Sequence, residues 1–233
     1  MEELKSIQLK NVRWLEHEKE LSIQLKWDQS GIWRLSNIAM FSKSDFFRII
    51  AGIIYPVDGT VLFNELNIHQ ESFEKILPLR LQLGYGIDVG GLLSNRTLYE
   101  NVLLPLQYHR RIRDSSLTEI DLFFKKFQIY HERHQRPAFS AGRSRKITVL
   151  IRSLILKPRF LILDDPFSGL LDNQKDQFIK LVQELFESGK LYSVIFFDST
   201  EYYQNFKING IIELQSDSFV FKPIDQIKKE KAS

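Results

Sequence analysis

The stretch PRFLILDDPFSGLLDNQ, residues 158–174, decides the fold class of this chain. It contains four apolar residues at positions 160–163, which predict a short buried strand. Two carboxylates, Asp164 and Asp165, follow directly, and a turn comes next. A buried strand that ends in paired acids is one way in which nucleotide-hydrolysing proteins hold Mg²⁺ and polarise a water molecule. In the absence of other motifs, two such acids more often stabilise a turn after a core strand.

The composition of the chain limits the classes of protein to which it can belong. Its 233 residues, 43% of them hydrophobic, are enough for one large domain with a core. With 32 basic and 29 acidic residues the net charge is only +3, which is too balanced to indicate nucleic acid as a partner. The absence of cysteine excludes disulfides and thiolate metal sites and fits the reducing cytosol. No apolar run reaches the length of a membrane-spanning helix.

Strand and helix patterns alternate along the chain. They predict edge strands at 4–14 and 20–27, buried strands at 32–35, 60–63, 161–163 and 193–197, and a hairpin from 211–214 and 218–221. Helical spacing predicts helices at 44–54, 143–156 and 173–188, and a helix-rich insertion at 95–135. Because a helix separates the strands at 161–163 and 193–197, they are expected to pair in parallel. The sequence therefore predicts an α/β fold.

Five segments are informative as a set: RIIAGIIYPVDGTVLFN (48–64), LGYGIDVGGLLSNRTLYENVLLPL (83–106), FSAGRSRK (139–146), LILDDPFSGL (161–170) and SVIFFDS (193–199). In this order they resemble parts of the nucleotide-binding domain of ABC transporters, over nearly the whole chain. The first resembles the helix and strand that follow the phosphate loop. The second resembles the Q-loop and the segment that docks on the membrane subunit, and the third the signature motif. The last two resemble Walker B with the D-loop, and the strand before the switch histidine.

The resemblance implies a P-loop NTPase-like ABC ATPase domain with a mixed central sheet, an N-terminal antiparallel β part and an inserted helical subdomain. A single domain is expected over residues 1–233. Its β-containing core would comprise 1–89 and 156–222, with the helical subdomain at about 90–155 and a polar tail at 223–233. The cofactors of the family are ATP and Mg²⁺. Within the family, residues 90–106 are most similar to the lipid-transport ATPases of the Mla/MCE type.

The phosphate loop of the family falls at NIAMFSKSD, residues 37–45. Lys43 and Ser44 stand where the family has its phosphate-binding lysine and its Mg²⁺-binding hydroxyl. A phosphate loop needs glycine because its backbone amides must curl around the phosphates. The glycine positions of the family instead hold Asn37, Met40 and Ser42, and Met40 and Phe41 put bulk where a phosphate would lie. The pattern predicts that this loop binds ATP weakly or not at all.

Asp45 replaces the usual threonine in the first turn of the following helix. A carboxylate there complements the positive end of the helix dipole by about 0.3–1 kcal/mol, and the same charge would repel ATP. One hypothesis is that Asp45 satisfies a helix terminus that a phosphate satisfies in the family. The alternative is an ordinary acid at a helix start, beside a divergent but working loop.

The catalytic positions also depart from the family pattern. Asp164 matches the Mg²⁺-binding acid of Walker B, and Asp165 matches the catalytic glutamate but is one methylene shorter. Shortening withdraws a general base from the water that it must reach within hydrogen-bonding distance. The Q-loop glutamine, which helps to ligate Mg²⁺ and to position water in the family, becomes Asp88. The switch histidine falls at Asp198 or Ser199, and no histidine lies in that part of the chain.

Ser140 and Gly142 survive from the signature motif, so the chain could present them in trans to ATP held by a second subunit. In the D-loop, Leu171 stands at the position of the family's aspartate.

The segment that docks on the membrane subunit keeps its large apolar residues, among them Leu92, Leu93, Leu98 and Tyr99. The alternative for these residues is a buried subdomain core. Basic runs at 109–113 and 143–146 are expected to form solvated faces.

Together, these features predict an ABC subunit with a degenerate nucleotide site, whose own ATPase activity is lost or greatly weakened. It would lie in the cytoplasm on the inner face of the membrane, dock on a permease and pair with an active ATPase subunit. A heterodimer is favoured over a homodimer, and lipid is the inferred cargo. The alternatives are a genuine ATP-hydrolysing subunit with an unusual phosphate loop, and a soluble regulatory or scaffold protein on the ABC fold.

Overall fold

The computed structural model describes residues 2–16, 19–36, 43–88, 90–215 and 217–226. The described strands are β1 (Ile7–Glu16), β2 (Lys19–Trp27), β3 (Gly31–Leu35), β4 (Asp58–Phe63), β5 (Leu66–Asn67), β6 (Leu83–Gly86), β7 (Phe160–Asp164), β8 (Ser193–Phe197), β9 (Gly210–Gln215) and β10 (Ser218–Pro223). The described α-helices are α1 (Lys43–Ile50), α2 (Phe73–Arg80), α3 (Leu98–Tyr108), α4 (Asp114–Lys126), α5 (Gly142–Leu154) and α6 (Asp172–Glu187). Short 3-10 helices lie at Tyr130–Glu132, Pro137–Phe139 and Glu201–Asn205.

The strands form one mixed sheet in the order β5-β4-β1-β2-β10-β9-β3-β8-β7-β6. Strands β3, β8, β7 and β6 pair in parallel, and Leu161 of β7 lies opposite Val194 of β8. Strands β5, β4, β1 and β2 pair antiparallel. The predicted α/β class, the mixed sheet with its antiparallel N-terminal part, and the parallel pairing of 161–163 with 193–197 are therefore confirmed.

The prediction that residues 4–14 and 20–27 form edge strands is wrong. Strand β1 lies between β4 and β2, and β2 lies between β1 and β10, so the outermost strands are β5 and β6. Alternation of apolar and polar residues indicates which face of a strand is buried. It does not indicate how many neighbours hydrogen-bond to the strand, because those neighbours come from distant segments.

The parallel half of the sheet fixes the position of the candidate site. All four residues 160–163 are fully buried, as expected for a parallel strand that is covered on both faces. Strands β3, β6 and β8 run in the same direction as β7, so their carboxyl ends meet at one edge of the sheet. Asp164 ends β7 at that edge, directly opposite Phe197 of β8.

The sequence pattern does not predict β6 or α2. Strand β6 reads LGYG, and glycine has little preference for strands. The backbone of β6 passes so close to α5 that a Cβ atom on Gly84 would lie 2.3 Å from the carbonyl oxygen of Ser153. Glycine is therefore required by packing at this position. Helix α2 contains Pro78, which weakens its helical pattern.

Helices α3, α4 and α5 lie between β6 and β7 in the chain and share a core that includes Val102, Phe124 and Leu150. Helix α3 begins with a capping box. Thr97 Oγ1 accepts a hydrogen bond from Glu100 N at 3.2 Å, and Glu100 Oε2 accepts one from Thr97 N at 2.7 Å.

Helix α1 ends at Ile50, before the predicted residue 54. No helix in the described ranges has both the length and the apolar character needed to cross a membrane.

Replacement of Trp27 by phenylalanine is expected to lower the free energy of unfolding by about 1–2 kcal/mol, because Trp27 Nε1 donates a buried hydrogen bond to Ser193 Oγ at 2.8 Å. Trp33→Phe is the matched control. The buried Nε1 of Trp33 has no hydrogen-bond partner within the described part of the chain, so its loss is expected to cost less. Urea denaturation measures both variants, and equal losses would contradict the expectation.

Candidate functional site

Strand β7 delivers Asp164, which is 4% exposed, to the edge of the sheet where α1 begins. Ser44, in the first turn of α1, donates a hydrogen bond from Oγ to Asp164 Oδ2 at 2.6 Å. Burial raises the pKa of Asp164, and the hydrogen bond from Ser44 opposes this shift. The two residues that the resemblance assigns to Mg²⁺ are therefore in direct contact.

Lys43, at the phosphate-lysine position, starts α1 with its side chain turned to β8. Its Nζ lies 3.9 Å from the centre of the Phe197 ring. This is a cation–π contact, in which the face of the aromatic ring attracts the ammonium. The Lys43 ammonium thus has a partner within the chain at the carboxyl end of β8.

Asp45 lies in the first turn of α1, where the sequence predicts it. Its Oδ1 is 3.2 Å from Nη1 of Arg48 one turn later, so a guanidinium pairs with this carboxylate. The remaining loop positions that differ from the family are Asn37, Met40, Phe41 and Ser42, which lie outside the described residues. The predicted filling of the phosphate pocket by Met40 and Phe41 stays a prediction.

Asp165, at the catalytic-glutamate position, has a φ of 49° in the left-handed region. Its Oδ1 accepts a hydrogen bond from Ser199 N at 2.9 Å, and its Oδ2 accepts one from Ser199 Oγ at 2.8 Å. Burial acts to raise the pKa of Asp165. The hydrogen bonds from Asp198 and Ser199 outweigh burial and hold this pKa below its ordinary value.

Asp198, the other candidate for the switch position, is 1% exposed. Its Oδ2 accepts a hydrogen bond from Thr200 Oγ1 at 2.7 Å. Burial, followed by the hydrogen bond with Asp165, raises the pKa of Asp198 to about 7. Asp198 therefore holds its proton to a higher pH than Asp165 does. Both residues at the switch position, Asp198 and Ser199, contact the same carboxylate.

Lys146 is a member of the site that the sequence does not reveal. It lies in α5, and its side chain is 7% exposed. Its Nζ donates hydrogen bonds to Asp88 Oδ1 at 3.0 Å, Asp88 O at 3.1 Å and Asp164 O at 3.2 Å. The expectation that 143–146 forms a solvated face is wrong for this residue. Its position three and four residues before the buried Val149 and Leu150 was the available signal.

The signature segment is held by a second residue that the sequence does not reveal, the buried Glu132. Its Oε2 accepts a hydrogen bond from Ala141 N, and its Oε1 accepts one from Ser144 Oγ, both at 2.8 Å. An anion of the same chain therefore already occupies the start of α5. Ser140 is buried and donates from Oγ to Pro137 O at 3.1 Å, whereas Gly142 is exposed.

The residues predicted to dock on a membrane subunit differ in exposure. Leu93 is 45% exposed, and Leu92 and Tyr99 are half-buried. Leu98 is fully buried, so it belongs to the core of the helical part and has no surface for a partner. The backbone of Leu93 is fixed by the buried Asn101, whose Oδ1 accepts from Leu93 N at 2.7 Å and whose Nδ2 donates to Leu93 O at 3.1 Å.

The oxygen donors of Ser44 and Asp164 suit Mg²⁺, which prefers hydroxyl, carboxylate and phosphate oxygens. No group of three His, Cys, Asp or Glu side chains within the described ranges is arranged to hold a metal ion by itself. A magnesium ion at Ser44 and Asp164 would therefore complete its shell with water and nucleotide phosphates. Asp88, the third candidate oxygen ligand, is paired with Lys146.

Comparison with solved structures identifies the fold. The ATP-binding subunit of an ABC transporter matches with a TM-score of 0.80 at 15% identity, covering 97% of this chain and 93% of that chain. A dimeric ATP-binding cassette in a post-hydrolysis state, bound to ADP and Pi, matches with a TM-score of 0.76 at 18% identity. It covers 94% of this chain and 98% of that chain. The fold is therefore that of an ATP-binding cassette.

Sequence comparison identifies the family. The model described as "ABC transporter" matches residues 42–168, more than half of the chain. The glucose import ATP-binding protein GlcV of Saccharolobus solfataricus is 27% identical over 61% of this chain and 40% of its own length. The lipoprotein-releasing system ATP-binding protein LolD of Buchnera aphidicola subsp. Acyrthosiphon pisum is 28% identical over 72% of this chain and 73% of its own. The chain belongs to the ABC transporter family.

The chain spans between 37% and 48% of the length of the first four curated relatives. These relatives include the methionine import ATP-binding protein MetN of Histophilus somni, which is 24% identical over 70% of this chain. By their names, the relatives serve glucose import, methionine import and lipoprotein release. The likeness therefore identifies a common ATP-binding unit rather than one cargo.

Proposed function

We propose that this chain is an ATP-binding-cassette subunit of a membrane transporter whose own nucleotide site is degenerate, and that it acts as a non-catalytic partner of an active ATPase. One observation carries the proposal. Asp165, at the position of the catalytic carboxylate, has both of its oxygens occupied by Ser199 and receives a further hydrogen bond from Asp198. No histidine is present in this part of the sequence to serve as the switch histidine.

The occupied carboxylate is a poor general base for two reasons. A base must direct a free lone pair at the water within hydrogen-bonding distance, and three of the about four lone-pair positions of Asp165 already accept hydrogen bonds. A lowered pKa also weakens its attraction for the proton of that water. Ser44 and Asp164 would hold Mg²⁺, which neutralises phosphate charge when it is bound. Lys43 would have to leave Phe197 to reach a phosphate.

The proposed role in the transporter follows from the difference between a degenerate site in this chain and a working site in its partner. Closure of a dimer needs a ligand that binds the closed state better than the open state. If this chain binds no ATP, the second subunit must supply that difference, so we favour a heterodimer with an active ATPase. Gly142, exposed at the start of α5, would face the nucleotide of that subunit. The dimeric cassette with ADP and Pi supports the pairing of two cassettes.

Docking and cargo complete the proposal. Leu92, Leu93 and Tyr99 would contact a permease, which places the chain in the cytoplasm on the inner face of the membrane. Lipid is the proposed cargo because of the similarity of residues 90–106 to the lipid-transport subfamily. The function named for LolD, lipoprotein release, is compatible with such a cargo. Co-purification with a permease tests the docking, and its failure would favour the scaffold alternative.

The proposal predicts that the whole chain neither binds Mg·ATP with micromolar affinity nor hydrolyses ATP above background. Because Lys43 and Asp164 then contribute nothing to turnover, Lys43→Ala and Asp164→Asn are expected to leave the measured rate unchanged. Titration calorimetry with ATP and a phosphate-release assay provide the measurements. The matched control is Lys125→Ala, an exposed lysine in α4.

A genuine ATPase is the second candidate, and the intact contact between Ser44 and Asp164 at 2.6 Å favours it. Hydrolysis by the purified chain that is abolished by both Lys43→Ala and Asp164→Asn, but not by Lys125→Ala, would establish this candidate. The same result would end the proposal of a non-catalytic partner.

A further inference from the structure

We propose that Lys146 is the resident cation of the nucleotide site, and that its ammonium pairs with Asp88 and weakens the binding of Mg²⁺ at Ser44 and Asp164. This inference rests on the proposed function, since it explains how a degenerate site keeps its acidic residues without a metal ion. It assigns a role to a buried lysine of α5 that the sequence pattern does not reveal.

The geometry around the ammonium resembles the shell of a bound cation. Lys146 Nζ is surrounded by four oxygen atoms: Asp88 Oδ1 at 3.0 Å, Asp88 O at 3.1 Å, Asp164 O at 3.2 Å and Ile87 O at 3.5 Å. An ammonium has three hydrogens to donate, so the three shorter contacts satisfy it completely. At 7% exposure it is largely removed from water, which makes its charge effective over a longer distance.

The position of the ammonium places it among the acids of the site. Asp88 follows β6, Asp164 ends β7, and Asp165 comes directly after it. The positive charge of Lys146 acts to lower the pKa of both Asp164 and Asp165. Without this charge, several carboxylates would face one another in a buried setting, which is unfavourable unless a cation joins them. A lysine from α5 thus supplies a counter-ion that needs no metal.

The same charge opposes a divalent ion. Asp88, the remaining carboxylate that could help to ligate Mg²⁺, is already bound by Lys146. A second cation nearby would be repelled by the ammonium in a partly buried setting. A cavity of about 330 Å³, lined in part by Asp88, Gly90 and Lys146, opens beside the pair, so solvent ions can reach Asp88 and Lys146. The charge of Lys146 therefore opposes the metal.

The test is titration of the whole chain with Mg²⁺ alone, without nucleotide, by calorimetry. Lys146→Gln keeps a hydrogen-bond donor but removes the charge, and it is expected to tighten Mg²⁺ binding at least about tenfold over the wild type. Lys146→Arg keeps the charge and is expected to show no gain. Adding Asp164→Asn to Lys146→Gln is expected to abolish the gain. Lys180→Gln, which neutralises an exposed lysine in α6, is the matched control.

A poorly folded Lys146→Gln variant also gives a decisive result. If Mg²⁺ can take the place of the ammonium, millimolar Mg²⁺ should restore its folding, because a ligand of the folded state stabilises that state. A variant that stays unfolded in Mg²⁺, or a folded one that binds Mg²⁺ no better than the wild type, overturns the inference. Neither result changes the ATP measurements on the wild type, so the two proposals fail independently.

Discussion

Replacement of Glu132 by alanine is expected to lower the free energy of unfolding by about 2–4 kcal/mol, a large loss for a single side chain. The Glu132 carboxylate lies buried at the start of α5 and accepts hydrogen bonds from Ala141 N and Ser144 Oγ, both at 2.8 Å. Alanine leaves these two donors without their acceptor, and Ser144 is fully buried. It also removes a negative charge from the positive end of a helix.

Two further variants separate the causes of this loss. Glu132→Gln keeps an acceptor oxygen, so it is expected to retain part of the stability. Glu184→Ala removes an exposed acid whose ion pairs are 4.0 Å long, and it is expected to cost no more than about 0.5 kcal/mol. Chemical denaturation at neutral pH measures all three. A Glu132→Ala variant within the range of the Glu184 control would show that the carboxylate does not hold the signature segment.

Asp198→Asn is expected to make the protein more stable at pH 8 and to remove much of its pH dependence below neutrality. The cause is the buried contact between Asp198 and Asp165 at the edge of the sheet. The pKa of Asp198 is raised from 3.8 to about 7, so the folded state keeps a proton that the unfolded state has lost. Asparagine donates a hydrogen bond to Asp165 at every pH and has no proton to lose.

The sign of the effect follows from proton binding. Between about pH 4 and 7 the folded chain binds more protons at Asp198 than the unfolded chain, so the contribution of Asp198 to stability falls as pH rises. Asp165, whose pKa is lowered, has the opposite sign, but its contribution is lost only as pH falls through its folded pKa. Charged groups that act on Asp165 include Lys146 of α5 and Asp164 of β7.

Three pKa units correspond to at most about 4 kcal/mol, which bounds the gain of Asp198→Asn at pH 8. Urea denaturation at several pH values between about 4 and 8 measures the gain. Asp217→Asn, an exposed acid in the β9–β10 turn, is the control and is expected to keep the wild-type profile. A loss of stability for Asp198→Asn at pH 8 would contradict the raised pKa of Asp198.

Much of the fold could be predicted from local signals. The apolar run of β7 is a strong one, because a parallel strand buried on both faces has no polar alternation to obscure it. The pairing of β7 with β8 followed from the helix between them. The position of β1 inside the sheet could not be predicted, since its neighbour β4 belongs to another part of the chain. Strand β6 could not be predicted from its sequence, because packing against α5 requires a glycine at position 84 and glycine does not favour strands.

The residues of the candidate site likewise fall into those that the sequence predicts and those that it does not. Asp164, Asp165 and Ser44 are recognisable because each stands in a motif with fixed spacing. Lys146 and Glu132 are not, because their roles depend on partners elsewhere in the chain. Asp88 lies 58 positions before Lys146 in the sequence. A basic run on a helix gives no sign that one of its members is buried. The pairing of Asp165 with Asp198 also required the sheet, which places the ends of β7 and β8 side by side.

By itself the sequence determined the order of the motifs, the two acids after β7, the exchange of the phosphate-loop glycines and the lack of a histidine near residue 198. Only the tertiary structure decided which atoms satisfy those acids, with Ser199 on Asp165 and Lys146 on Asp88. The physical reason is that residue type and spacing are local properties of a chain. A buried charge takes its partner from whichever segment packs against it, and that segment is chosen by the whole fold.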